Sequence, residues 1–189
     1  MKRSEHVYFL TGIIDPGALS DFIRYLKGIP NDISSIIIVI QSSGGLVSIA
    51  FALATLIESL PCQVKTLNLG NVDSAANIIF ASGKERIVCD FASFYIHEAQ
   101  KELSGKFSAS ALNTFAKEAD IDSMRIAEYL HQRTGTPNEL WRDMMSNGKI
   151  IDAQTSLKLN LATTMCKRDT LKKILSQAWA VIPNDSISL

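Results

Sequence analysis

An α/β fold built on a parallel sheet is what this sequence predicts, on three observations. The first two-thirds of the chain alternates β-prone runs with helical stretches, the pattern of right-handed strand–helix–strand crossovers. The run from Ser35 to Ile40 is β-branched with no polar face, as expected of a parallel strand covered on both sides. Twice, a buried strand gives way to a loop that leads directly into a helix, at Ser42-Ser-Gly-Gly45 and at Gly70-Asn-Val-Asp73.

The elements follow in order. Val7 to Thr11 is a short β-prone run. Asp15-Pro16 supplies an N-cap and a first helical position, opening an amphipathic helix that fades at Gly28. After the strand at 35–40, Leu46 to Leu60 reads as a largely buried helix that Pro61 stops. Val64 to Leu69 is the next strand, and Ser74 to Ser82 the next helix, closed by Gly83. Arg86 to Cys89 and Ser93 to His97 read as two further short strands. A long helix runs from Ser108 to about Arg133 and stops at Thr134-Gly135. Its length predicts that part of it projects and packs on another subunit. Thr136-Pro137 opens a helix ending near Asn147-Gly148, Lys149 to Ile151 is a strand, and Asp152 caps one more helix. Asp169 to Ala180 is expected to form the last. No linker, repeat or charge block divides the chain, so residues 1–189 read as one domain.

Composition narrows the function classes. The 189 residues are 47% hydrophobic and 20% charged, a folded globular profile long enough for a full core. Nineteen basic residues balance nineteen acidic ones. That balance removes the electrostatic footprint of a nucleic-acid or anionic-membrane binder. Mean hydropathy is +0.12, which leaves apolar surface for other subunits. The aliphatic run at 36–40 is far short of the ~20 residues that span a bilayer. The apolar stretch Val7 to Leu10 ends too early for a signal peptide. Cys62, Cys89 and Cys166 are widely spaced among apolar neighbours, the pattern of reduced thiols in a cytoplasmic protein. No CxxC pair or His/Cys cluster suggests a metal, and no cofactor is implied. Ser82-Gly-Lys84 and Ser104-Gly-Lys106 lack the rest of a phosphate-binding loop.

The two strand–loop–helix junctions are the candidate chemistry. Parallel strands set such loops side by side at the sheet edge where α/β proteins bind ligands. Gly45 N–H and Ala75 N–H are placed to form an oxyanion hole, although both loops also fit as ordinary helix leads. Ser74 and His97 offer a nucleophile and a general base. Taken singly, Ser74 or Asp73 also fits as a helix cap, and His97 as a core or edge histidine. His6 and His131 have no comparable setting.

In their order and spacing, four segments resemble the proteolytic subunit of the Clp protease family. They are His6-Val-Tyr-Phe-Leu-Thr-Gly12, Ile40-Gln-Ser-Ser-Gly-Gly-Leu46, Gly70-Asn-Val-Asp-Ser-Ala75 and Tyr95-Ile-His97. Thr134-Gly135 and Asp152-Ala153 fit the same pattern, and the resemblance covers roughly residues 6 to 163. It implies a crotonase-like superhelix of ββα units with a projecting helical handle, at approximately 98–135. It also implies a serine endopeptidase acting on peptides or unfolded proteins, assembled as stacked homo-oligomeric rings. Ser74 falls on the family's nucleophile, His97 on its base, and Gly45 and Ala75 on its oxyanion donors.

Three departures qualify those expectations. The family's catalytic aspartate follows the Thr-Gly helix, and an ungapped match puts Asn147-Gly148 there. Asn147 is the candidate third member, with Asp143 and Asp152 behind it. Loss of that carboxylate can lower the rate by ~10⁴, so a catalytically impaired structural subunit is the main alternative. Asp73 and Ala75 stand where the family has small or amide and apolar residues, and a carboxylate pointing inward at Asp73 would oppose an oxyanion. Met1 to Glu5 alone precede the first motif, shorter than the family's axial loops, so docking to an ATPase unfoldase is the least expected partnership. An acyl-CoA hydratase or isomerase of the same superfamily would use the same N–H pair, but it leaves Ser74 and His97 unexplained.

Overall fold

Ile36 to Ile40 are all buried, and this run forms the middle of strand β2 (Ser35–Gly45). The computed structural model describes residues 5–30, 32–167, 169, 171, 172, 174 and 176. Parallel neighbours flank β2 on both sides: β1 (Glu5–Ile14) and β3 (Gln63–Asp73). Because side chains alternate along a strand, the run feeds two cores. Ile36, Ile38 and Ile40 face the larger one, while Ile37 and Val39 join Leu67, Ile87, Cys166 and Ile174 on the other side. Double burial explains why no polar face interrupts the run.

Three crossover helices supply the larger core. Helix α1 (Pro16–Gly28) starts where Asp15 accepts the Ala18 N–H at 2.9 Å. Helix α2 (Val47–Ser59) ends before Pro61. Helix α3 (Ala76–Ser82) is buried along its whole length, so its apolar sequence has no solvent face to vary.

The sheet changes partners along β3. Lys65 to Asn68 pair with β4 (Glu85–Val88), whereas Asn71 to Asp73 pair with β5 (Ser93–Ile96). Asn68, fully buried, bridges the switch: its side chain donates to Ser93 O at 2.9 Å and accepts from Gly70 N at 3.0 Å. Residues 70–73, expected as a loop, are therefore the last part of a strand, and Ser42 to Gly45 likewise continue β2. Polar composition suggested a loop, but both segments are held by strand pairing at the end of the sheet. The mixed α/β architecture expected from the sequence is present.

Beyond β5, helix α4 (Ala109–Thr134) is capped by Ser108 and closed by Gly135 in the left-handed region at φ 74°. Its buried residues are confined to Ile126, Ala127, Leu130 and Thr134. The first part stands exposed, with Leu112, Ile121 and Met124 facing outward. Helix α5 (Asn138–Ser146) and strand β6 (Lys149–Asp152) follow. Strand β6 runs antiparallel to β5, the one departure from parallel pairing among the described strands. Asp152 then caps α6 (Ala153–Lys158), accepting from Thr155 N at 2.7 Å. A two-residue strand β7 (Thr164–Met165), too short to be read in the sequence, pairs with β4. The expected last helix at 169–180 lies largely outside the described residues. Among those residues no helix is long and apolar enough to cross a membrane.

Helix α3 is anchored at its C-terminal end by two arginines. Arg133 Nε donates to Ala81 O at 2.9 Å, and its Nη2 reaches Ser82 O at 3.1 Å. Arg86, buried, donates to Gly83 O at 3.2 Å and to Leu161 O and Asn160 O at 2.8 Å each. Burial, and secondarily the nearby Arg133, lower its basicity, yet it answers three main-chain carbonyls, sharing Gly83 O with Arg133 Nη2 at 3.3 Å. Arg133→Ala is expected to destabilise the protein by about 1–3 kcal/mol, because it strands those helix-end carbonyls. A thermal melt should fall by roughly 3–10 °C; an unchanged melt would show that α3 needs no such anchor.

Candidate active site

Two tight backbone approaches create the site. Gly44 lies in the left-handed region at φ 91°, and a Cβ there would stand 2.6 Å from Ser74 Cβ and 3.1 Å from Ala75 N. Gly45, at φ 148°, lies so close to β1 that a Cβ would fall 2.3 Å from Ile14 O. Only glycine combines these torsions with this contact. The hydrogen bond closing the β1–β2 ladder here is donated by Leu46 N to Ile14 O at 2.8 Å, not by Gly45. The two sequence-predicted junctions thus meet, with the Gly-Gly segment packed directly against the turn at Ser74.

Ser42 fixes the first junction and was missed in the sequence reading. Its hydroxyl donates to Gly12 O at 2.6 Å and accepts from Gly44 N at 3.1 Å. It is buried, and β1 changes register beside it between Thr11 and Ile13. The signal available was a serine directly before the glycines, but no sequence rule says that a buried hydroxyl must hold the bulge. Gln41 ties the second junction to the first, its Oε1 accepting from Asn71 N at 2.9 Å. Gly70 leaves room for it, since a Cβ there would lie 2.6 Å from the same oxygen.

Ser74 occupies a sharp turn between β3 and α3 rather than the first position of the helix. Its φ is +55°, one of two positive values for non-glycine residues among those described. Such a conformation is sterically costly and concentrates at functional sites. Neither Ser74 nor Asp73 caps α3 through its side chain, which removes the ordinary account of both residues. Asp73 Oδ1 instead accepts from Tyr95 N at 3.0 Å, and so is directed along β5 rather than inward. Ser74 N donates to Tyr95 O at 2.9 Å. Asn77 Nδ2 donates to both Ser74 O and Tyr95 O, each at 2.9 Å.

His97 follows directly from the end of β5. Its ring stacks on Tyr95 with centroids 4.6 Å apart. Nδ1 lies 2.7 Å from Glu98 O. A carbonyl only accepts, so Nδ1 is the donor, and in the neutral ring that tautomer leaves the Nε2 lone pair free to act as a base. Gly45, Ser74, His97, Gln100, Lys101 and Ile126 are among the residues lining one cleft of about 530 Å³. Ser74 and His97 share this cleft without a hydrogen bond between them, a loose arrangement that catalytic pairs often show before substrate binds.

Among the described residues no carboxylate stands on His97. The Asn147 amide donates to Asp143 O at 2.8 Å and to Asp143 Oδ1 at 3.2 Å, at the C-terminal end of α5. Asp143 is engaged in that contact, and Asp152 caps α6. Gly148, at φ 56°, sits against Tyr95: a Cβ there would be 3.3 Å from the phenol oxygen. Tyr95 thus touches both His97 and the segment that aligns with the family's aspartate. Among the described residues no cluster of His, Cys, Asp and Glu is arranged to hold a metal.

The family model for Clp protease matches residues 4–169. ATP-dependent Clp protease proteolytic subunit 2 of Streptomyces coelicolor is 27% identical over 164 residues, spanning 83% of this chain and 73% of that protein. Proteolytic subunit 4 of Streptomyces avermitilis is 27% identical over 164 residues, spanning 83% of this chain and 71% of its own length. Among solved structures, an asparagine-to-aspartate mutant of ClpP1 from Listeria monocytogenes superposes with a TM-score of 0.74. It covers 87% of this chain and 94% of its own at 21% identity, so it speaks for the fold. Together with the match along most of its length, these likenesses place the chain in the Clp protease family.

Proposed function

We propose that the chain is a serine endopeptidase subunit, hydrolysing peptide bonds of short peptides or unfolded polypeptides inside a ring-shaped, stacked homo-oligomer. The observation that supports this most is the turn at Ser74. It spends backbone strain to present a hydroxyl, without a hydrogen-bond partner among the described residues, to a cleft that also holds His97 and the Gly45 segment. In this reading Ser74 Oγ attacks the scissile carbonyl carbon while His97 Nε2 takes its proton. Gly45 N–H and Ala75 N–H receive the oxyanion. His97 passes the proton to the leaving amine, and water hydrolyses the acyl-enzyme by the reverse route.

Glu98 O takes the orienting role that Asn147 was expected to fill. Replacing a triad aspartate can lower the rate by ~10⁴, in part because the histidine adopts the wrong tautomer. A backbone carbonyl preserves the tautomer and forgoes only the negative charge, so turnover should fall short of a full triad without vanishing. The exposed first part of α4 serves as the handle between rings, and the neutral net charge suits close self-association. The same missing carboxylate favours the second reading, a structural subunit that forms rings but turns over slowly or not at all.

Hydrolysis of fluorogenic short peptides separates the readings. The purified chain, shown by native mass spectrometry to be in rings, is expected to cleave them, and Ser74→Ala should lower cleavage to background. Intact rings with no cleavage by the wild-type chain would leave the structural subunit.

A further inference from the structure

Asn77 is a polar residue in the first turn of a wholly buried, mostly apolar helix, 1% exposed. Its two amide hydrogens go to two carbonyls, Ser74 O and Tyr95 O, at 2.9 Å each. Carbonyls only accept, so this orientation of the amide is chemically fixed. The amide oxygen is left buried with no partner among the described residues. An apolar side chain would pack here without that orphaned acceptor, so packing alone does not account for asparagine.

Its position does. The carbonyl of Ser74 and the N–H of Ala75 belong to one planar peptide unit and point in opposite directions. Holding the oxygen therefore aims the N–H. The same side chain grips Tyr95 O, which already accepts from Ser74 N, and Tyr95 lies two residues before His97. One amide thus spans the turn that presents the nucleophile and the strand that delivers the base.

We propose that Asn77 is a positioning residue that orients the Ser74–Ala75 peptide so that the Ala75 N–H faces the developing oxyanion, and that locks this peptide to the His97 strand. The proposal rests on the serine-peptidase reading of the same cleft. It concerns transition-state geometry rather than substrate affinity, so its effect belongs in kcat and in acylation rate, not in KM.

The test compares wild type with Asn77→Asp and Asn77→Ala. Asn77→Asp keeps the shape but turns a carboxylate toward both carbonyls; Asn77→Ala removes the side-chain clamp while keeping the main-chain bond from residue 77 N–H to Ser74 O, and carries the test where Asn77→Asp does not fold. Both are expected to lower kcat and the second-order rate of fluorophosphonate labelling by about 10- to 100-fold, with KM within roughly threefold of wild type. Labelling within about twofold of wild type, or a loss carried wholly by KM, would overturn the assignment. Crystal structures of wild type and Asn77→Ala supply a readout independent of activity. A rotated Ser74–Ala75 peptide supports the clamp and an unmoved one contradicts it, even where an unlabelled wild type has already sunk the peptidase reading.

Discussion

Gly44→Ala is expected to slow acylation of Ser74 by about 10²–10³-fold, the range for losing one oxyanion-hole donor. The new methyl carbon would stand 2.6 Å from Ser74 Cβ, 2.8 Å from Asp73 O and 3.1 Å from Ala75 N. Those are the atoms that set the nucleophile's direction and flank the proposed anion site. Relief requires the turn at Ser74 to retreat from the Gly-Gly segment, and a displacement near 1 Å at a reacting centre costs on the order of 10² in rate. The strain is confined to a turn at the sheet's end, so most of the fold should survive. The check is the pseudo-first-order rate of fluorophosphonate labelling, with a thermal melt on the same sample. A variant labelled as fast as wild type would mean that the close approach of the two junctions plays no part in the chemistry.

Gly45→Ala should act mainly on stability. Here the added carbon would meet the backbone of Ile14, at 2.3 Å from its oxygen and 2.8 Å from its nitrogen. Ile14 is fully buried at the end of β1, with its carbonyl bonded to Leu46 N. No side chain can swing aside. The ladder must open or β1 must shift, and φ 148° adds strain for any residue with a Cβ. A destabilisation of roughly 3–5 kcal/mol is expected, in the range reserved for overpacking and backbone strain together. That corresponds to a melting temperature about 10 °C or more below wild type. A melt within about 2 °C of wild type would show that β1 yields easily at Ile14.

Both substitutions fall on positions legible as important in the sequence, but for reasons visible only in the fold. Gly44-Gly45 announced a loop before a helix; the structure makes it a strand end that touches two different neighbours. Strand–helix alternation and the apolar run at 36–40 sufficed to predict the α/β class, because period and burial are local properties of the chain. The caps at Asp15 and Asp152, the start of the long helix at Ser108 and its stop at Gly135 were equally local, and each sits where the sequence put it. Residues 70–73 were read as loop because their pairing partner, β5, lies more than twenty residues away. Ser42, Gln41 and Asn77 went unnoticed for the same reason: their importance lies in which distant backbone atoms they reach. Asn147 was the expected third catalytic group, whereas the group bonded to His97 Nδ1 is a backbone oxygen, which no sequence pattern can advertise.

Tyr95 gathers these threads. Its N–H is held by Asp73, its carbonyl by Ser74 and Asn77, and its ring by His97. Its phenol closes off Gly148. The base is therefore placed by stacking and a main-chain hydrogen bond.

Whether a base placed in this way activates the serine is decided most directly by the mass of the intact chain after exposure to a fluorophosphonate probe. The expected result is one adduct per chain, mapped by peptide sequencing to Ser74 and absent in both Ser74→Ala and His97→Ala. A folded, ring-forming chain that gains no mass, or that carries the adduct on another residue, would contradict the account.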